Sequence, residues 1–159
     1  NKNVIIKKKL ISNKKGYTNF YIVNKDEAYS TIKPKSLKFF DHLDKKNIRI
    51  IKKKTTTLNL EIKKNETPYY IKIDCEGAEK QILQNLIYKI PIISFELNLP
   101  QFFKEGEHII MNFQKKFKSK FNIRIHEKNK FVFKKNITAK KCIKFLKNKN
   151  LVTEIFIFS

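Results

Sequence analysis

The chain has 159 residues, with 36 Lys and Arg against 14 Asp and Glu, giving a formal net charge of +22. Its 41% hydrophobic and 13% aromatic content supports a buried core and excludes wholesale disorder, and no run reaches the roughly 18 apolar residues of a membrane-spanning helix. Two cysteines, Cys75 and Cys142, exclude a disulfide framework and fit a reducing, cytoplasmic setting.

Of the basic residues, 34 are Lys, and only Arg49 and Arg124 are Arg. Lys, Asn and Ile make up 74 of the 159 residues, and all three have AT-rich codons, so an AT-rich genome alone could produce the bias. The charge also suits a polyanion-binding surface, because Lys neutralises phosphates and releases counterions. Proteins that read nucleic acid lean on Arg for bidentate and stacking contacts, however, and Arg is nearly absent. The lysines are scattered along the chain rather than gathered in one stripe. Asn1–Lys9 has no long apolar run and no small-residue cleavage site, which excludes a secretory signal there.

In chain order, Val4–Ser12 reads as a strand, Asn13–Gly16 as a turn, and Tyr17–Val23 as the returning strand of a hairpin. Asn24–Asn47 is polar and irregular, with Pro34 and a short helical turn near Ser36–Leu43. Ile48–Ile51 and Thr55–Leu58 are extended, because β-branched residues dominate them. Tyr69–Ile73 is a short apolar strand. Ala78, Ile82, Leu83, Leu86, Ile87 and Ile90 fall on one helical face, and Pro91 ends that helix. Ile92–Leu97 is nearly continuously apolar, as a strand buried on both faces is. Strand, helix and buried strand with tight connections form a βαβ unit, hence a piece of parallel sheet. Further on, Glu107–Phe121 reads as a helix and Phe121–His126 and Lys130–Phe133 as strands. Thr138–Lys147 has helical spacing at Ala139, Cys142, Ile143 and Leu146, and Ile155–Phe158 is a final strand. The expected class is α/β, a mostly parallel sheet with antiparallel strands toward the C-terminal end. No linker or repeat divides residues 1–159, which read as a single domain.

Ligands of open α/β sheets bind at the carboxyl ends of the strands. Two such ends carry acids: Ile73-Asp74-Cys75-Glu76-Gly77-Ala78-Glu79 and Phe95-Glu96-Leu97-Asn98. Asp74 and Glu96 are therefore expected side by side, where a carboxylate can accept a proton from a substrate hydroxyl or orient it. Asp74 reads equally as a helix N-cap, and Glu76 and Glu79 as first-turn acids, the better reading for Glu79. Glu96 ends so apolar a strand that it must be hydrogen-bonded or at the surface.

Tyr70–Leu86 followed by Ile92–Asn98 resembles the FkbM family of S-adenosylmethionine-dependent methyltransferases. The match runs through Lys72, Ile73, Asp74, Glu76, Gly77, Glu79, Leu83 and Glu96, in order and spacing. Upstream, Thr56-Thr57-Leu58-Asn59 is similar to the family's Thr-Thr-Leu-Asp, with Asn59 departing at the last place. Leu10–Phe20 and Thr153–Phe158 also resemble family segments. The resemblance implies a class I methyltransferase (Rossmann-like) fold and methyl transfer to a hydroxyl of a sugar or other small metabolite. It implies Asp74 near the reactive methyl and the acceptor, at the edge of the cofactor pocket, with Glu76 and Glu96 shaping the same site. Such a fold binds its cofactor with a Gly-rich loop after the first strand. Gly16, Gly77 and Gly106 form no such loop, and the chain begins at Asn1. The expectation is the N-terminally incomplete, C-terminal portion of a longer protein, lacking much of the cofactor pocket and inactive alone.

His42, His108 and His126 lack metal-ligand spacing, and no metal site is expected. Acids around Cys75 raise its thiol pKa, so packing rather than nucleophilic attack is its expected role. Tyr29, Ser30 and Thr31 read as solvated loop or acceptor-pocket lining, and Phe39-Phe40 and Phe102-Phe103 as core. Lys52–Lys54 reads as a solvated strand edge. Two functional readings result. The first is an FkbM-like O-methyltransferase on a small hydroxylated acceptor, a glycan or its precursor, with Asp74, Glu76 and Glu96 as catalytic residues. The second is a non-catalytic basic α/β module that binds nucleic acid or other polyanions.

Overall fold

The computed structural model describes residues 4–24, 30–39, 48–125, 128 and 130–159. Ile48–Thr57 (β3) is a ten-residue strand whose β-branched stretch carries partners on both edges. Leu10–Ser12 (β1) pairs with its end in parallel, Leu10 opposite Thr55. Gly16–Val23 (β2) runs antiparallel along its other edge, Gly16 also opposite Thr55. The expected hairpin between the first two strands therefore does not form. Asn13–Lys15 instead carries the chain over the end of β3, where the Thr55 hydroxyl donates to the Lys14 carbonyl at 2.9 Å. The Lys triplet 7–9 has no apolar face to bury and stays outside the strand. Lys52–Lys54 is exposed on the part of β3 that β1 leaves uncovered.

Leu58–Lys64 (α1) follows β3 directly and replaces the extended end expected at Leu58. Thr57 caps it, accepting a hydrogen bond from the Leu60 amide at 3.2 Å. Tyr70–Ile73 (β4) leads to Glu79–Leu83 (α2) and then to Ile92–Asn98 (β5), which pairs with β4 in parallel. The βαβ unit thus forms as expected, but its helix is shorter than the apolar spacing suggests. Side chains from elsewhere capture the carbonyls that would continue it. Asn112 donates to the Gln84 carbonyl, Asn59 to that of Asn85 and Lys116 to that of Leu86. Asn59 also accepts from the Ile87 amide at 3.0 Å. A carboxylate could accept that bond but could not make the donation. Leu86 and Ile90 are buried nonetheless, while Ile87 is exposed.

Phe103–Phe117 (α3) begins a turn earlier than expected and ends at Lys118, whose φ of 56° is left-handed. Lys120–Ile125 (β6), Ala139–Leu146 (α4) and Val152–Phe158 (β7) complete the chain. The expected strand over 130–133 is reduced to one bridge, Phe131 with Arg124. The helical turn near 36–43 is a 3₁₀ turn at Ser36–Phe39, and 40–43 lies outside the described residues.

The second sheet has the order β4-β5-β7-β6, with β7 antiparallel to both neighbours. β4, β5 and β6 therefore point one way and β7 against them. The fold is α/β with two mixed sheets, which corrects the expected mostly parallel sheet: inserting β7 between β5 and β6 leaves one parallel pairing in the four-stranded sheet. Phe95, Phe113, Phe121, Ile93, Ile123 and Ile155 are fully buried in its core, against which Ile11 and Leu58 also pack. α3 approaches β5 closely at Gly106, where a Cβ would lie 2.6 Å from Leu97 Cδ2. Among the described residues no helix is long and apolar enough to cross a membrane.

Candidate functional site

The carboxyl ends of β4 and β5 lie together because the two strands pair in parallel with Ile73 opposite Phe95. The residue after each of these is an acid, Asp74 just past the end of β4 and Glu96 still within β5. After Asp74 the chain turns sharply through two left-handed residues, Glu76 with φ 47° and Gly77 with φ 91°. This turn brings Glu76 back over the strand ends. Asp74, Glu76 and Glu96 each offer a carboxylate oxygen, and these oxygens all lie within 4.8 Å of one another. The three residues singled out from the sequence thus meet at one place.

Glu79 holds that turn in shape. It is buried, and its Oε1 accepts from the backbone amides of Cys75 at 3.0 Å and Gly77 at 3.3 Å. Sequence spacing suggested only a first-turn acid. Glu79 does stand in the first turn of α2, and its carboxylate also reaches back to satisfy amides that the left-handed turn directs inward. Burial still raises the Glu79 pKa above its usual value, opposed by these hydrogen bonds. From the other side, the buried Thr31 hydroxyl donates to the Glu76 carbonyl at 3.4 Å. Thr31 is placed there by its bridge to Tyr21 on β2. Ser30 accepts from the Val23 amide, and Tyr29 lies outside the described residues.

The electrostatics single out Glu76. Burial, then the neighbouring Glu96, Asp74 and Glu79, push its pKa from 4.5 up to about 7. Asp74 is more exposed and has Lys72 Nζ at 3.6 Å. The Cys75 thiol is pushed up to about 12 by burial and then by Glu79, so it stays protonated and is no nucleophile. Such an acid trio has the donor set of a hard-cation site. Mutual repulsion among its members is equally relieved by a proton on Glu76. His108 is exposed on α3, whereas His42 and His126 lie outside the described residues.

One further acid sits beside the site. Glu154 on β7 is the register partner of Glu96 on one side and of Arg124 on the other, so the three share a sheet face. Glu154 is buried and bonded through Oε2 to the Arg124 guanidinium. The sequence signal for it was a lone acid just before the expected final strand, Ile155–Phe158. Phe102 is buried under Lys33, whose ammonium lies 5.4 Å from the ring centroid and bonds Glu105 at 2.9 Å. Phe103 is half-buried, Phe40 is outside the described residues, and Phe39 lies on the 3₁₀ turn.

No curated protein and no solved structure gives a match to this chain. A family model does: residues 2–146 match the methyltransferase FkbM domain. That match spans most of the sequence and includes the β4–α2 turn and the Glu96 strand, and the chain belongs to the FkbM methyltransferase domain family.

Proposed function

We propose that this domain acts in an S-adenosylmethionine-dependent O-methyltransferase that modifies a hydroxyl of a small acceptor, a sugar or glycan precursor, in the cytoplasm. Family membership supports methyl transfer. A class I, Rossmann-like scaffold is supported by the β4-β5-β7-β6 sheet, in which three strands run one way and the last runs against them. The observation that carries the reading is the convergence of Asp74, Glu76 and Glu96 at the carboxyl ends of a parallel strand pair.

When bound, S-adenosylmethionine supplies an electrophilic methyl group on a positively charged sulfur. Three carboxylates suit the neighbourhood of that charge, and no described residue is assigned to its adenosine end. Asp74, exposed at the strand end, orients the acceptor hydroxyl and accepts its proton. Glu76, titrating near neutrality, is a second acceptor for the same proton, and Glu96 holds the acceptor from the adjacent strand. The chain's contribution is alignment and charge rather than covalent chemistry. Asp74→Asn in the intact protein is expected to abolish formation of S-adenosylhomocysteine with hydroxylated acceptors, while thermal unfolding moves by no more than about 2 °C. Unchanged turnover removes Asp74 from the reaction.

A further inference from the structure

The lysines that look scattered in the sequence are partly gathered by the fold. A cleft of about 450 Å³ opens between the entry to β1, the end of β3 and α1. Lys8, Lys9, Lys15, Lys54 and Lys64 line it, with Glu61 as the one acid. Glu61 is already committed: Lys9 Nζ lies 2.8 Å and 3.0 Å from its two oxygens, and that contact lowers its pKa. Among the described residues Lys8, Lys15, Lys54 and Lys64 have no anionic partner. They come from three separate segments, brought together because Leu10 and Gly16 flank the same residue of β3. A concave wall of one sign focuses the field and concentrates a counter-ion.

We infer that this cleft binds a compact, multiply phosphorylated small molecule. The volume is that of a small-ligand site. Four uncommitted ammonium groups call for several negative charges on one compact body. The lining holds no aromatic side chain on which a base could stack and no Arg to grip one edge-on, so the phosphates rather than a nucleobase are recognised. Lysine number alone does not make such a site. Lys141, Lys144, Lys147 and Lys149 also cluster at the end of α4, but two of them lie over the Phe133 and Phe145 rings, at 5.1 Å and 5.2 Å. The inference concerns a cleft apart from the acidic cluster and stands whether or not the methyltransferase reading holds.

The test is calorimetric titration of the whole chain with inorganic tripolyphosphate at about 0.15 M ionic strength, where diffuse surface attraction is screened beyond about 8 Å. Saturable one-to-one binding is expected. Lys15→Gln/Lys54→Gln, both exposed positions, is expected to weaken it tenfold or more, and Lys144→Gln/Lys147→Gln to leave it within twofold. ATP is expected to bind no tighter than tripolyphosphate. Absence of saturable binding, equal loss in the two double variants, or ATP binding tenfold tighter overturns the inference.

Discussion

Protonation of Glu76 ties the acidic cluster to stability. Its pKa is about 7 in the folded chain against 4.5 ordinarily, so between those values the native state holds a proton that the unfolded state releases. The favourable contribution is therefore complete below about pH 4.5 and is lost as pH rises through 7. Because Glu76 is only half-buried, solvent screening reduces the effect to about 1 kcal/mol. Glu76→Gln keeps the neutral shape and removes the charge. It is expected to raise Tm at pH 8 by about 2–4 °C and to leave it unchanged at pH 4, as read by calorimetry. A gain equal at both pH values would mean that the charge is not the cause. If Glu76 also accepts the acceptor's proton, the same variant loses the acidic limb of the pH–rate profile near 7. Sequence spacing was enough to bring Asp74 and Glu96 together, since each follows directly on one of the paired residues Ile73 and Phe95. It was not enough for Glu79, whose role depends on a turn with two left-handed residues that directs amides at it.

Elements meet where small or charged residues permit it. At Gly106 an added methyl would press on the buried Leu97 side chain at 2.6 Å. Gly106→Ala gains up to about 1 kcal/mol of helix propensity and meets an overpacking cost of about 1–3 kcal/mol. A net loss of about 1 kcal/mol in denaturant unfolding is expected, and Leu97→Val in the same chain is expected to reduce it by coupling at contact. Between β6 and β7, Arg124 pairs with Oε2 of the buried Glu154, whose Oε1 has no hydrogen-bond partner among the described residues. Arg124→Met leaves that carboxylate buried without its cation and is expected to cost about 2–4 kcal/mol. Arg124→Met/Glu154→Gln is expected to recover most of the loss, and no recovery would show that the guanidinium over the Phe156 ring dominates. Element type was legible wherever periodicity was strong: β4, β5, α3, β6, α4 and β7 lie within a few residues of their expected bounds. α1 was not, because its start falls in Thr55–Leu58, which reads as β-branched and extended until the Thr57 cap closes the first turn.

For the molecule as a whole, a net charge of +22 on 159 residues means self-repulsion in the compact state. Raising NaCl from 20 to about 300 mM shortens the screening length from about 20 Å to below 8 Å, and Tm is expected to rise by several degrees in a calorimetric series. A flat or falling Tm would mean that the charges are already spaced widely enough not to matter. The lysine count was plain in the sequence, but its distribution was not. Scattered positions such as Lys8, Lys15, Lys54 and Lys64 surround one cleft only because β3 receives β1 and β2 on opposite edges.

The sequence by itself determined the local quantities. Apolar periodicity set which segments are strands and helices, the order of acids after two strands set the composition of the candidate site, and the Asp74–Glu79 string carried the family. Tertiary structure decided what depends on distant partners. It placed β3 between β1 and β2, and it shortened α2 because Asn112, Asn59 and Lys116 take the carbonyls a longer helix would use. It also moved Glu76 toward neutrality by burying it in part and setting the charges of Glu96, Asp74 and Glu79 around it. The physical reason is one of range: propensity and pattern act over a turn or a strand, whereas strand pairing, hydrogen-bond competition and desolvation arise only once distant segments are in contact.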